Sequence, residues 1–454
     1  MSKNTQTNEL GSGSIPKLFF KLAIPAVVAQ LVNMLYNIVD RIYIGHIPEI
    51  GASALTGVGL FASIMMFITA FSMLAGAGGA PLASIALGKN DKEHAEKIMT
   101  NSFSLLLIFA VVLTVVIYIF APTLLTLFGA SEVTLPYAVD YARIYVLGTI
   151  FVLIVTGMNP FVTTQGFANI AMLTTIIGAV INIILDPIFI FGFGMGVKGA
   201  ALATVLSQAV GAIWILRFLT GEKTTLKLRM ENMKLDPKVF GPTLALGISP
   251  FIMVSTESLL SISFTTSLSK YGGDVAVGAM TIITSINMLV TMPLQGFTQG
   301  GQPIMSYNYG AGNADRVKKA FFMQFGVCVG YAAIFWCLCM IIPNVLAGIF
   351  TTDAALVEYA SWALRIYMAG IFSVGFQLAC QQSFMALGQA KYSLIMALLR
   401  KIILLIPLIF ILPNFFTDKV FAVFVAEPVS DIIAAAVTTL LFFTQFKKIM
   451  AKSK

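Results

Sequence analysis

The sequence predicts an all-α polytopic membrane protein: twelve transmembrane helices in two six-helix lobes, related by a pseudo-two-fold axis along the membrane normal. Three observations predict this fold. Hydrophobic residues make up 58% of the 454 residues and charged residues 11%, with a mean hydropathy of +0.90. Apolar stretches of about 20 residues, the length that crosses a bilayer as a helix, recur along the chain. The second half also repeats the first at a constant offset, which matches Gly78 with Gly300.

The composition excludes a soluble domain, because such domains carry about 25% charged residues to cover their surface. A membrane β-barrel would alternate polar and apolar residues, whereas the apolar stretches here are continuous. The twelve predicted spans are residues 16–40, 54–80, 98–120, 137–159, 170–192, 197–219, 241–268, 275–303, 317–342, 357–386, 393–413 and 419–444.

The repeat is clearest at glycine and aromatic positions. Pairs at the same offset include Gly79 and Gly301, Tyr145 and Tyr367, and Gly166 and Gly388. Each half contributes six spans, an even number, so the halves are expected to be parallel repeats with the same membrane orientation. A duplicated half in so apolar a chain is typical of secondary transporters.

Five segments are predicted from these patterns. Residues 1–15 are polar and rich in Gly and Ser, without the apolar core of a signal peptide, and are expected to form a disordered cytoplasmic amino terminus. An N-lobe follows at 16–219 and a C-lobe at 241–445. Residues 220–240, which are rich in charge, are interpreted as a cytoplasmic linker, and residues 446–454 as a cytoplasmic tail.

The net charge of +8 is interpreted as a marker of topology. With a cytoplasmic amino terminus, 22 of the 28 Lys and Arg residues fall on the cytoplasmic side, Arg400 and Lys401 among them. Because cytoplasmic loops are enriched in Lys and Arg, both termini are predicted to be cytoplasmic. The expected location is the inner (cytoplasmic) membrane of the cell, as a multi-pass protein. No nucleic-acid partner is needed to explain the charge.

The acidic residues do not follow the repeat: Asp40 is matched by Thr265 and Asp186 by Ile406. A carboxylate inside a membrane costs about 3 kcal/mol, so it persists where it is used or paired. Asp40 is interpreted as a proton- or cation-binding group, because burial disfavours its charged form and lets it exchange a proton. The alternative is a salt bridge with the adjacent Arg41 or a place at the aqueous boundary.

Asp186 lies four residues after Asn182, so both side chains share one helix face and can point into one cavity. The alternative is that Asp186 only offsets the backbone hydrogen bond lost at Pro187.

Two stretches resemble the MATE (multidrug and toxic compound extrusion) family. Residues 24–40, with Ile-Pro at their start and Tyr-Asn-Ile-Val-Asp at their end, resemble its first helix. Residues 182–188, Asn-Ile-Ile-Leu-Asp-Pro-Ile, resemble its fifth. The resemblance covers residues 16–445 and looks closest to the DinF-like branch, which includes bacterial multidrug exporters.

The resemblance implies a polar cluster in the first lobe. In family members, the residues matching Asp40, Asn182, Asp186 and Thr204 come together, and all four residue types are present here. Their oxygen atoms suit either a proton relay or Na⁺, which would bind at Asp40 and Asp186. We expect ion binding there to rearrange the first span by bending it at Pro25.

The second lobe has its own acids, Glu257, Glu427 and Asp431. Glu427 and Asp431 are four residues apart and share a face. These three residues are interpreted either as acids lining a cavity or as packing partners of Arg400 or Lys401.

A substrate cavity is predicted from polar and adaptable apolar residues near these sites. The candidates are Gln30, Met34, Tyr36, Asn37, Met158 and Phe161. Methionine and aromatic side chains would give a wall that adapts to varied compounds.

The sequence lacks the residue patterns that ATP hydrolysis, enzymatic catalysis or zinc binding would require. No phosphate-binding Gly-x4-Gly-Lys-Ser/Thr loop is present, which argues against ATP hydrolysis. The sequence has no cluster of His, Asp and Glu residues that would indicate an enzyme. The spacing of the four cysteines and the isolation of His46 and His94 indicate no zinc site.

These inferences predict a secondary active multidrug efflux transporter that works by alternating access. It would export organic cations and other amphipathic compounds by antiport with H⁺ or Na⁺, with no cofactor. The expected partners are small-molecule drugs, mostly cationic, and the lipid bilayer, with the protein as a monomer. The alternative is a lipid-linked saccharide or lipid flippase of the same superfamily.

Overall fold

The computed structural model describes residues 5–452, and their secondary structure is helical. The α-helices are α1 (Thr5–Ser12), α2 (Ile15–Gly45), α3 (Gly51–Gly88), α4 (Lys92–Leu127), α5 (Leu135–Leu147), α6 (Thr149–Thr164), α7 (Ala168–Pro187), α8 (Val197–Thr220), α9 (Pro237–Gly310), α10 (Ala314–Ile341), α11 (Pro343–Gly348), α12 (Ala354–Tyr367), α13 (Ile371–Ala386), α14 (Ala390–Leu398), α15 (Ile406–Ile411) and α16 (Lys419–Lys452). Short π-helical segments lie at Ile188–Gly192 and Leu399–Leu405, and 3₁₀ turns at Met230–Asn232, Met368–Gly370 and Leu412–Asn414.

The predicted twelve spans are confirmed. Within the described chain, ten helical stretches are long and apolar enough to cross a membrane, and α5 with α6, bent by 59°, gives an eleventh. Helix α9 is 74 residues long and contains Gly273 at φ 64° and ψ −161°, so two spans meet there. Counting α9 twice gives twelve spans, at the positions that the apolar stretches predict.

The described residues divide into two compact units whose limits differ from the predicted lobes. Unit 1 comprises residues 5–13 and 28–254, and unit 2 comprises residues 14–27 and 255–452. One boundary therefore falls between α1 and α2, and the other two fall inside α2 and α9, shortly after Pro25 and Pro250. None falls in the segment between α8 and α9.

Close helix packing explains this division. A Cβ atom at Gly78 of α3 would collide with the backbone of Thr243 and Gly247, so the first part of α9 lies against α3 within unit 1. At the equivalent position in unit 2, a Cβ atom at Gly300 would collide with Ala23 of α2. Glycine lets two helices approach backbone to backbone, and each contact fixes the start of one helix to its unit.

The amino terminus also differs from the sequence prediction. Residues expected to be disordered form helix α1, and the chain stays hydrogen-bonded beyond it through Gly13 N–H to the Glu9 carbonyl, at 2.8 Å. The reason is an apolar anchor, because the side chain of Leu10 is buried.

The sequence repeat extends to the backbone of the loops. Gly166 and Gly388 both have positive φ, at 91° and 68°. Asn90 and Gly312, another pair at the same offset, are left-handed too, at 60° and 73°. Glycine and asparagine are the residues that adopt this conformation most easily, so both halves turn at equivalent places.

Candidate ion-coupling site

Three buried side chains of α7 and α8 form the centre of the site. The Asn182 amide nitrogen donates to Asp186 Oδ1 and to Thr204 Oγ1, each at 3.3 Å. All three side chains are buried. Asn182 and Asp186 share one face of α7, as their spacing predicts, and the next helix, α8, brings Thr204 to the same place.

Helix α2 adds the fourth predicted residue. The carboxyl groups of Asp40 and Asp186 lie within hydrogen-bonding reach of each other. Asp40 Oδ1, Asp186 Oδ2 and Asn182 Oδ1 are buried without a hydrogen-bond donor. Within the described residues, no Lys, Arg or His nitrogen comes within 4.0 Å of either carboxylate, so the alternative Asp40–Arg41 salt bridge is not formed.

This arrangement favours binding of a small cation. Two ionised carboxylates within hydrogen-bonding reach of each other repel. A buried charge without a partner of opposite charge also raises the free energy of the folded protein. A proton shared by Asp40 and Asp186, or a hard monovalent cation held by their oxygens together with those of Asn182 and Thr204, removes both penalties. The residues present fit either ion.

An aromatic wall lies beside the site, and sequence reasoning missed its members other than Tyr36. Tyr141 of α5 shares a hydrogen bond with Thr204. Its ring stacks on Tyr145 at 6.0 Å, and Phe61 of α3 packs edge-on against both rings at 5.5 and 5.3 Å. Tyr36, one turn before Asp40 on α2, faces the two carboxylates. The available signal was the four-residue spacing of Tyr141 and Tyr145, which places both hydroxyls on one face.

The second-lobe acids are paired with cations. Arg400 donates from Nε to Asp431 Oδ1 at 2.7 Å and from Nη2 to Glu427 Oε1 at 3.4 Å. Lys401 contacts Glu257. The structure therefore has the packing partners that the sequence left as one of two alternatives.

The same contacts correct the topological count. Arg400 and Lys401, which the sequence analysis assigned to the cytoplasmic side, lie in the π-helical segment inside the eleventh span. Their side chains are only 16% and 8% exposed. Burial among three acids, rather than contact with water, explains why two cations are tolerated within a span.

The predicted cavity residues separate into two groups. Met158 and Phe161 of α6 are fully buried, and Phe161 packs so close to Gly79 that a Cβ atom there would collide with its ring. In this structure both side chains therefore lie in the packed interior, and neither lines an open cavity. The four candidates on α2 are at least partly exposed: Gln30, Met34, Tyr36 and Asn37. Among the six predicted cavity residues, these four have side chains that are exposed or partly exposed.

Among residues 5–452, no group of three or more His, Cys, Asp or Glu residues is placed to hold a metal ion. The four cysteines are free thiols, and three of them are buried.

The chain is similar to known proteins over most of its length. The sequence model of the MatE family matches residues 25–188 and 250–411. Multidrug export protein MepA of Staphylococcus haemolyticus (strain JCSC1435) is 26% identical over 438 residues, 95% of each chain. Multidrug export protein MepA of Staphylococcus aureus (strain N315) is 25% identical over 450 residues, 97% of each chain.

Solved structures share the fold at lower sequence identity. A crystal structure of MATE in the bent conformation has a TM-score of 0.92 at 24% identity and covers 99% of each chain. The outward-facing conformation of a multidrug resistance MATE family transporter of the MOP superfamily has a TM-score of 0.90 at 24% identity, covering 97% of this chain and 98% of that one. Since the family match spans most of the sequence and its first segment contains Asp40, Asn182 and Asp186, the chain belongs to the MATE family.

Proposed function

We propose that this protein is a secondary active multidrug efflux transporter that exports organic cations and other amphipathic compounds by antiport with H⁺ or Na⁺. The observation that supports it best is the pair Asp40 and Asp186, each with a buried carboxylate oxygen, which has no cationic partner within 4.0 Å in the described chain. An intramembrane carboxylate without a counter-charge is expected where an ion binds and leaves. The family relatives named multidrug export proteins support the substrate class.

The coupling step is a change of charge at this pair. Binding of a proton or Na⁺ removes the repulsion between Asp40 and Asp186, with Asn182 and Thr204 holding Asp186 in place. Asp40 lies on α2, so its movement toward Asp186 is transmitted along that helix. Pro25 interrupts the hydrogen bonding of α2 two residues before the unit boundary, where bending costs least. The bend then releases the drug outward.

Substrate recognition is proposed for the accessible face of α2. Gln30, Met34 and Asn37 follow one another at helical spacing, and Tyr36 adds an aromatic ring beside Asp40. An organic cation can stack on this ring while its charge stays near the carboxylate. Ion binding and drug binding would then compete for the same negative charge, which is the condition for exchange.

The acids of unit 2 have a different proposed role. Three carboxylates and two cations are joined there by ion pairs. We assign Glu257, Glu427 and Asp431 to the structure of the eleventh and twelfth spans and of α9, and coupling to unit 1.

The energy balance constrains the exchange. One monovalent ion moving down about 100 mV supplies roughly 2.3 kcal/mol, and each tenfold drug gradient costs about 1.4 kcal/mol. If the drug is a monovalent cation, one-for-one exchange cancels the electrical contribution, and only the concentration gradient of the ion drives export. Two ions per cation, or a neutral or zwitterionic drug, retain the electrical contribution. The two carboxylates, Asp40 and Asp186, are compatible with either one or two ions per drug molecule.

Transport in sealed vesicles tests the proposal. A fluorescent organic cation is offered with an imposed pH gradient or an imposed Na⁺ gradient, each alone. We expect one of the two gradients to drive export, and Asp40→Asn and Asp186→Asn each to reduce driven transport by about tenfold or more, because an amide cannot take up the ion. Asp140→Asn is the matched control, since Asp140 is 44% exposed and pairs with Lys198 at 3.4 Å. Full driven exchange by a well-folded Asp186→Asn protein would contradict the coupling assignment.

Cell-based measurements separate this function from that of a flippase. Expression of the transporter is expected to lower the susceptibility of cells to cationic drugs. Failure of an envelope polymer on deletion, with unchanged drug susceptibility, would instead indicate a flippase of lipid-linked saccharides. Both termini are proposed to lie in the cytoplasm, at the inner membrane, with the monomer as the working unit.

A further inference from the structure

The segment between α8 and α9 is anchored, although its charge suggested a free linker. Residues 222–236 are here called the strap. Thr224, Thr225 and Leu226 near its start are buried, and Leu226 is fully so. In a flexible connection, the backbone N–H and C=O groups of these three residues would be exposed to water. The strap therefore has partners in unit 1, to which all its residues belong.

Gln165 is the first of these partners. It follows α6 directly and is fully buried. Its Oε1 accepts hydrogen bonds from the Thr224 hydroxyl at 2.9 Å and from the backbone N–H groups of Thr225 and Leu226 at 2.8 Å each. Its Nε2 donates to the Phe161 carbonyl at 3.0 Å, which fixes the orientation of the amide. One side chain thus satisfies three successive polar groups of the strap.

Helix α4 holds the rest of the strap with three further side chains. Glu96, which is buried, accepts from the Lys227 N–H at 3.1 Å and from Arg229 Nε at 2.6 Å. Asn101 donates to the Asn232 carbonyl at 3.1 Å and accepts from the Asp236 N–H at 2.9 Å. Ser104 donates to the Met233 carbonyl at 2.9 Å. These contacts join residues that are far apart in the chain.

The anchoring residues belong to the first half alone. At the repeat offset, the positions of Glu96, Asn101, Ser104 and Gln165 hold Lys318, Met323, Gly326 and Leu387. None of these has the same side chain, so the contacts were not kept by the duplication of the scaffold. They occur where a connecting segment leads from α8 to α9.

The strap continues into a helix that is fixed to the same unit. Residues 237–254 of α9 lie against α3 through the close approach of Gly78 and Gly247. The strap is consequently held at several points between Thr224 and Asp236, and the start of α9 is held at Gly247.

We propose that the strap stays fixed to α4 and α6 throughout the transport cycle, with Gln165 as its main positioning residue. The chain then changes conformation inside α9, after residue 254, and not in the segment between α8 and α9. The strap keeps the first part of α9 moving with unit 1. The transport measurement that tests this inference rests on the proposed function, whereas the hydrogen-exchange measurement does not.

Hydrogen exchange of the purified full-length protein tests whether the strap is fixed. The amides of Thr225, Leu226, Lys227 and Asp236 donate to buried side chains, so they should exchange at least about tenfold more slowly than unstructured peptide. Gln165→Leu removes the shared acceptor and should speed exchange at Thr225 and Leu226 by about tenfold or more. Exchange at the unstructured rate in the unmodified protein would overturn the proposal, whatever the protein transports.

Matched variants keep the test decisive. Met230→Ala changes a strap side chain that is 83% exposed, and should alter neither exchange nor transport. Ser104→Ala removes one contact to the Met233 carbonyl, and serves if Gln165→Leu fails to fold. Faster exchange in the folded anchor variants should accompany a lower maximal transport rate with unchanged KM. An unchanged rate would overturn the positioning role of Gln165.

A covalent lock tests whether the strap moves during transport. In a background lacking the four natural cysteines, Ser104→Cys and Met233→Cys are joined by a short bifunctional thiol reagent. Transport by the joined protein should stay within about twofold of the unjoined one, because the strap is fixed in any case. Loss of transport in the cross-linked protein, with normal transport by the same double-cysteine protein without the reagent, would show that the strap must detach. Absence of drug transport before any change contradicts the proposed function instead.

Discussion

At the scale of single residues, counter-charge separates the acids of the two units. Asp40 and Asp186 have buried oxygens without donors, whereas Glu427 and Asp431 share one guanidinium. A buried carboxylate beside a fixed cation gains little from a second cation, because its charge is already balanced. An unpaired carboxylate gains much. The difference in partners, more than the presence of acids, is the reason why we propose ion binding in unit 1.

Arg400 is expected to be essential for the stability of unit 2. Arg400→Met leaves Glu427 and Asp431 buried without their cation, which should lower the free energy of unfolding by about 3–5 kcal/mol. Thermal unfolding in detergent measures the change, with Arg365→Met, an exposed arginine of the same unit, as control. Combining Arg400→Met with Glu427→Gln and Asp431→Asn should restore part of the loss. An unfolding temperature equal to that of the unmodified protein would contradict the structural assignment.

At the scale of helices, glycine contacts determine which unit holds each helix segment. Gly78 and Gly247 bring α3 and α9 together in unit 1, and Gly300 does the same for α2 in unit 2. Such contacts depend on the absence of a side chain at a single position, so their neighbours tolerate no added volume.

Gly247→Ala is expected to disrupt the contact of α9 with α3. The new Cβ atom would overlap the Leu74 carbonyl, and overpacking of this kind costs about 1–3 kcal/mol. Thermal stability and the hydrogen exchange of residues 237–254 report the effect. Gly326→Ala is the control, because a Cβ atom there meets no atom within 4 Å. Equal behaviour of the two variants would show that the contact does not hold α9.

At the scale of the whole molecule, a duplicated scaffold carries an unduplicated set of polar residues. Two pairs of left-handed loop residues and the packing glycines Gly78 and Gly79 recur at the repeat offset, but the four residues of the candidate ion-coupling site and the four strap anchors do not. Because unit boundaries lie inside α2 and α9, we expect these two helices to change conformation during transport.

The variant Pro25→Ala tests whether α2 must bend at Pro25 during transport. Alanine restores a backbone donor and favours a straight helix, so the variant should fold normally yet transport more slowly, by about tenfold. Initial transport rates in vesicles give the result. Pro122→Ala, which changes a proline inside α4 away from the boundary, should retain the normal rate. Equal rates for both variants would exclude bending at Pro25 as a required step.

The sequence by itself determined the spans and the pairing of halves, because the thickness of a bilayer fixes the length of an apolar helix. Helical spacing likewise placed Asn182 with Asp186 and Glu427 with Asp431. These are local properties, readable within one span.

Only the tertiary structure decided which cation neutralises which acid, that Tyr141 and Phe61 border the site, that Met158 and Phe161 are fully buried, and that the strap contacts Gln165 and α4. Each depends on contacts between residues far apart in sequence, often at a glycine whose effect is to let another helix come close. No periodicity in the chain records such a contact, because it is set by the packing of helices against one another.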